Sequence, residues 1–257
     1  MSVQLYILMI FAGLAVGFFL DWLVSQMPRE EKWNPPGNCP ECGAGRNGIR
    51  GWLPILRHLG AEKCTQCGHV FGRQGILMEL TTTVLFLVVV QAFGLEWKTL
   101  WYLLIVAALI PISAIDVRYQ VIPDSLLVFG LLPMAGLWFT TYSGEIGEFL
   151  IGGVVLGGGL WMISIIGKKI YKQEVMGFGD VKFAGWMGLI LGWQVGLISM
   201  LLGFVLATVV FLTMMAFGKV RFRQEVPFGQ FLAGGMFLGM LFGEMLLNWY
   251  LTTFVFI

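Results

Sequence analysis

Eight apolar runs, near residues 4–25, 76–95, 99–115, 125–142, 147–167, 181–193, 195–217 and 229–255, recur along the chain. An α-helix needs about 20 mostly apolar residues to cross a hydrocarbon core about 30 Å thick, and most of the runs approach that length. With no water in that core, a spanning backbone must satisfy its own hydrogen bonds, which for segments of this length means helix. Charged residues make up 12% of the 257, whereas soluble domains carry about 25%. The chain is therefore expected to be all-α, a polytopic membrane bundle of about eight transmembrane helices. Gly192-Trp193-Gln194 is the only break between the sixth and seventh runs, and one long kinked helix there would change the count. The first run, Leu5 to Val24, lacks a basic segment before it and a small-residue cleavage pattern after it, and reads as a retained helix.

The basic residues orient the bundle. Arg29, Lys32, Arg46, Arg50, Arg57, Lys63 and Arg73 lie between the first and second runs, and Arg118 lies between the third and fourth. Lys168, Lys169, Lys172 and Lys182 surround the fifth-to-sixth connection; Lys219, Arg221 and Arg223 fill the seventh-to-eighth. Only Lys98 falls in a loop of opposite parity. Positive residues stay cytoplasmic, so the first loop is expected inside and both termini outside. The net charge of +1 hides this asymmetry and itself says nothing about nucleic acid; membrane lipid and no nucleic acid partner are expected. Trp22, Trp97, Trp101, Trp193 and Trp249 near the ends of runs suit interfacial anchoring.

Glycines in the fifth run (Gly152, Gly153, Gly157, Gly158, Gly159) and the eighth (Gly234, Gly235, Gly239, Gly243) recur at or near small-x-x-x-small spacing. That spacing lets helices approach closely in lipid and is read as packing without chemistry.

The four cysteines form two C-x-x-C pairs in the first loop, Cys39/Cys42 and Cys64/Cys67, each closed by a glycine. Two such pairs in a reducing compartment match a structural Cys₄ zinc site better than a redox dithiol. Four thiolates leave no open coordination position, so the metal is expected to fold the loop. His58 and His69, nearby, are not needed as ligands.

Acids inside or at the edges of apolar runs are costly and mark functional sites. They are Asp21, Glu79, Asp116, Asp180 and Glu244. Asp180 follows Gly177-Phe178-Gly179, where absent side chains would let a peptide backbone approach. Asp116 ends another run at the same expected face. Asp124, after Pro123, reads as a helix-start residue, and Asp124→Asn is expected to keep much activity. Two carboxylates held together share a proton: one draws a proton from water while the other polarises a scissile carbonyl. The cysteines are committed to metal and neither histidine is near the acids in sequence, so no other nucleophile constellation competes.

Ile115-Asp116 through Pro123-Asp124, Met176 through Lys182, Leu191-Gly192-Trp193, and Pro227-Phe228-Gly229 with Phe231-Leu232 together resemble the type IV prepilin peptidases, G-x-G-D intramembrane aspartyl proteases. Gly17-Phe18-Phe19-Leu20, Pro28, the cysteine pairs, Leu53-Pro54-Ile55-Leu56 and Glu79-Leu80 extend the likeness toward the amino terminus. The resemblance implies Asp116 and Asp180 as the catalytic pair. It also implies cytoplasmic cleavage of prepilin or pseudopilin leaders after a glycine preceded by basic residues. Such enzymes serve type IV pili or type II secretion, and many also methylate the new amino terminus with S-adenosylmethionine. On that basis residues 1–80 form the first helix and cysteine loop, with the methyltransferase region, and residues 81–257 the peptidase domain.

The chain departs from the family pattern at a few places. Asp21 and Gln26-Met27-Pro28 stand where Asn and Arg-Leu-Pro are usual, so a fixed cation is missing at Gln26. Arg73-Gln74-Gly75 replaces Arg-Tyr-Pro, and Gln230 replaces a proline. Two other classes remain open at this level. A proton-coupled transporter would place its acids near the bilayer midplane; a membrane-anchored zinc module would only bind partners.

Overall fold

The computed structural model describes residues 3–27, 38–39, 42–45, 63–64, 66–68, 74–142, 144–172, 176–219 and 226–255. The expectations placed on Pro28, residues 53–56, His58, His69, Arg221, Arg223 and the first-loop basic residues other than Lys63 lie outside them. Among the described residues there is helix and no strand, and Asn38 and Gly45 pair in an isolated bridge. The helices are α1 (Val3–Gln26), α2 (Gln74–Phe93), α3 (Trp97–Tyr119), α4 (Asp124–Phe129), α5 (Leu131–Thr140), α6 (Ile146–Tyr171), α7 (Phe178–Ala216) and α8 (Gly229–Tyr250). A π-helical turn, Leu251–Val255, continues α8. Six helices among the described residues are long and apolar enough to cross a membrane, and the apolar stretch Asp124–Thr140 is shorter. The protein is a multi-pass membrane protein by the length and composition of these helices.

The chain divides into two compact units, Met1–Pro111 and Ile112–Ile257. In the first, α1 packs on α2 through Gly13 and Gly17, neither of them read from sequence as a packing residue. A Cβ on Gly13 would stand 2.6 Å from Thr83 Cα, and one on Gly17 would stand 2.6 Å from Glu79 Cα. Removing the side chain lets the backbones touch, which is how helices gain dispersion contact where lipid removes the hydrophobic drive. Thr82 and Thr83 lie on this buried face and return their hydroxyls to Met78 O and Glu79 O, 2.7 and 2.8 Å away. No hydroxyl is thereby left unsatisfied against the apolar helix.

In the second unit, α7 decides the architecture. At 39 residues it would run about 58 Å if straight, nearly twice the hydrocarbon thickness. It does not run straight. Gly192 takes φ 75° and ψ 175°, a region open essentially to glycine alone. A Cβ on Gly196 would lie 3.6 Å from Gly188 Cα, whereas eight residues of straight helix separate such atoms by about 12 Å. The chain therefore reverses at Gly192, and α7 is a helical hairpin with arms 178–191 and 193–216. The Leu189 carbonyl, in the last turn before the reversal, accepts a hydrogen bond from Trp138 Nε1 at 2.9 Å. With the two arms and the 124–140 stretch counted separately, the described residues hold eight helical stretches, in line with the approximate count read from hydropathy.

Helices flank the hairpin on both sides, and glycine sets each spacing. On one side Gly157 of α6 meets Gly185, with 3.0 Å from its would-be Cβ to Gly185 Cα, and Gly152 meets Gly188 and the turn at Gly192. On the other, Gly235 of α8 meets Gly203, Gly239 meets Ser199, and Gly243 meets Val195. The pairings run in opposite order along each neighbour, so successive passages are antiparallel. Gly158 and Gly159 face open space, so only part of the α6 glycine run serves packing.

Candidate active site and zinc knuckle

Asp116 lies in the last turns of α3, further inside the helix than the hydropathy run suggested, because the helix continues to Tyr119. It ends there through Gln120, whose left-handed φ of 54° lets its N–H donate to Asp116 O at 2.9 Å. The connector then turns through Ile122 and Pro123 into α4. Asp180 lies in the first turn of α7, whose entry residue Gly177 is extended (φ −65°, ψ 141°). Asp180 N–H donates to Gly177 O at 3.2 Å, closing that first turn. Both acids are thus at helix ends, not in the middle of a passage.

Asp116 is 4% exposed, and its carboxylate is held by the start of α8. Gln230 N–H donates to Oδ2 at 3.1 Å, and the Gly229 amide is also directed at the carboxylate. A Cβ on Gly229 would stand 2.9 Å from Asp116 Cγ and 3.0 Å from Oδ2, so only glycine admits the acid this close. Asp180 is half-buried and within electrostatic reach of Asp116. Ile122 joins the two surroundings: its side chain would lie 3.2 Å from a Cβ on Gly179 and 3.1 Å from one on Gly229. Asp124 opens α4, as expected of a helix-start acid, and pairs with Lys182 of α7 at 2.7 Å. Beside Phe228, an apolar cleft of about 300 Å³ is lined by Ala207, Phe211, Leu212, Pro227 and Phe231 among others.

The other acids are placed apart from this site in character. Glu79 is fully buried on α2, Asp21 is partly buried on α1, and Glu244 is exposed on α8. Gln230 and Gly229 are the residues that sequence reasoning did not connect with Asp116. Their motif, Pro227-Phe228-Gly229, was visible, but nothing in the spacing said which side chain it would hold.

The chain matches the family described as "Type IV leader peptidase family" over residues 103–212, a stretch that contains Asp116 and Asp180. It matches the "Bacterial Peptidase A24 N-terminal domain" over residues 11–93. A "Prepilin leader peptidase/N-methyltransferase" of Burkholderia pseudomallei is 32% identical over 216 residues, 81% of this chain and 68% of that protein. This chain belongs to the type IV leader peptidase family. Proteins of the same name from Pseudomonas aeruginosa and Stutzerimonas stutzeri are 28% and 29% identical, covering 94% and 93% of this chain and 92% and 91% of their own lengths. No solved structure matches the chain.

In this leader peptidase family member the four cysteines converge. Their sulfurs all lie within 4.8 Å of one another, with Cys39–Cys67 and Cys42–Cys64 each at 3.6 Å. Four thiolates 2.3 Å from one tetrahedral zinc would stand about 3.8 Å apart, so the cluster fits that ion. Each pair is a tight knuckle. Gly43 (φ 73°) donates its N–H to Cys39 O, and Gly68 (φ 70°) to Cys64 O, both at 2.9 Å. The left-handed turn explains why glycine closes each C-x-x-C. The N–H groups of Cys67 and then Gln66 point at the Cys64 sulfur and lower its pKa from 9.0 to about 6. A thiol that ionises near neutrality is ready to ligate a cation.

Proposed function

We propose that Asp116 and Asp180 are the catalytic pair of an aspartyl endopeptidase that removes leader peptides from prepilin-like proteins at the cytoplasmic face. The observation that carries the reading is the arrangement of two acids from distant helix ends around Ile122, one of them fixed by the α8 amides. A carboxylate so anchored can draw a proton from water while its partner polarises the peptide carbonyl and later protonates the leaving amine. The acids' positions at helix ends favour a peptide substrate over an ion pathway, which would want them at mid-passage. The apolar cleft beside Phe228 suits an apolar segment of the substrate.

The cysteine knuckle holds zinc through Cys39, Cys42, Cys64 and Cys67 in this reading, and the ion supplies folding rather than chemistry. Residues 81–257 carry the peptidase. Residues 1–80 carry N-methylation of the freed amino terminus, with S-adenosylmethionine supplying the methyl group. Asp21 and the buried Glu79 are of the sign that suits a sulfonium cation. Both termini lie outside in a bacterial inner membrane.

The test is mass spectrometry of a purified prepilin incubated with the full-length protein and S-adenosylmethionine. Loss of the leader is expected, with one methyl group added to the new amino terminus. An intact substrate in the presence of folded, zinc-loaded protein would overturn the peptidase reading; cleavage without added mass would remove only the methyl transfer.

A further inference from the structure

We propose that the Lys182–Asp124 ion pair is a latch that sets the separation of Asp116 and Asp180, which makes both members positioning residues of the peptidase site. The inference rests on the reading of those acids as the reacting pair. Lys182 Nζ donates to Asp124 Oδ1 at 2.7 Å and to Oδ2 at 2.9 Å, so one ammonium spans both oxygens. The same ammonium stands 5.2 Å from the centre of the Phe178 ring, which faces it with the negative side of its quadrupole. Lys182 is thus held by partners on α4 and on the first turn of α7.

The position of this pair in the chain gives it leverage. Asp116 and Asp124 bracket the connector between α3 and α4, and Asp180 and Lys182 stand two residues apart at the start of α7. The ion pair closes a ring that runs from Asp116 through Gln120 and Ile122 to Asp124, across to Lys182, and back to Asp180. Inside the ring Ile122 packs on Gly179, but apolar contact has no directional preference and allows sliding. The two-oxygen contact to Lys182 supplies the missing direction.

Exposure separates this role from one in folding. The side chains are 38% and 67% exposed, and ion pairs at such sites add little to stability. A shift of about 1 Å between reacting groups, by contrast, costs about a hundredfold in rate.

The experiment measures kcat and KM of the full-length protein in detergent on a purified prepilin. Lys182→Met, Asp124→Asn, and the reversed pair Asp124→Lys with Lys182→Asp are compared with Asp116→Asn. Each single latch variant is expected to lose about tenfold in kcat with KM and Tm nearly unchanged, a larger loss for Asp124→Asn than its reading as a helix-start residue implied, as when transition-state stabilisation alone is lost. The reversed pair is expected to regain most of that loss. Unchanged kcat in both single variants, a reversed pair no better than the product of the singles, or an effect on KM alone would overturn the latch. If Asp116→Asn cleaves at the full rate, the peptidase pair itself fails; if it is inert while Lys182→Met is fully active, only the latch fails.

Discussion

The backbone N–H of Gln230 donates to Asp116 Oδ2 across 3.1 Å, tying the first turn of α8 to an acid at the far end of α3. Proline at this position would have no N–H to give. It is nonetheless at home in the first turn of a helix, where amides lack intrahelical partners. Gln230→Pro therefore deletes one donor with little harm to α8. Hydrogen bonds to charged groups contribute about 1.5–3 kcal/mol to stability, so a modestly lower melting temperature is expected and, with the acid less firmly held, leader cleavage slowed by at least about tenfold. Single-turnover cleavage rates measure this; an unaltered rate would show that the Gly229 amide alone holds the acid.

Gly229→Ala tests the same contact sterically. Its Cβ would press on Asp116 Cγ at 2.9 Å and on Ile122 Cδ1 at 3.1 Å. Overpacking of this kind costs about 1–3 kcal/mol of stability, while the displaced carboxylate is expected to lose about a hundredfold in kcat. Activity and melting temperature measured together separate the two effects.

Gly192→Ala is expected to destabilise the second unit by about 1–3 kcal/mol, because φ 75° with ψ 175° is closed to a side chain. A Cβ there would meet nothing nearer than Phe149, at 3.8 Å, so the cost is conformational and not steric. Thermal unfolding in detergent reads it, and an unchanged melting temperature would contradict the hairpin turn.

Zinc retention should depend on pH. The Cys64 thiol ionises near 6 in the fold and at 9.0 ordinarily, so its thiolate contributes stability that is complete above pH 9 and is lost as pH falls through 6. Metal binding also needs all four thiolates, and protons compete for them. Equilibration with a chelator at pH 5.5 is expected to strip zinc that is retained at pH 8, as metal analysis will show. Cys39→Ser is expected to lose zinc at both values while the helices persist.

Hydropathy made the helical runs legible, because lipid forces every apolar run of sufficient length into helix, but it left open whether Gly192-Trp193-Gln194 divides two helices or kinks one. The cysteine knuckles were equally legible, since their ligands are close in sequence and their glycines announce the turn. The long-range relations were not. Nothing in the chain announces that Gly13 and Gly17 meet Thr83 and Glu79, or that Gly229 and Gln230 cradle Asp116. These contacts depend on which helix faces which, and small residues carry no mark of their partner. Asp124 shows the same limit: capping chemistry accounts for its presence, and only the fold reveals Lys182 beside it.

The central claim is that Asp116 and Asp180 act as one unit on one peptide bond. It is tested most directly by single-turnover cleavage of a prepilin by Asp116→Asn, Asp180→Asn and the double variant, each verified as folded and zinc-loaded. Residues that act together are non-additive: each single change is expected to lose at least about a thousandfold, and the double variant to be no slower than either. Either single variant retaining more than about a tenth of the wild-type rate, or losses that multiply in the double variant, would contradict the account.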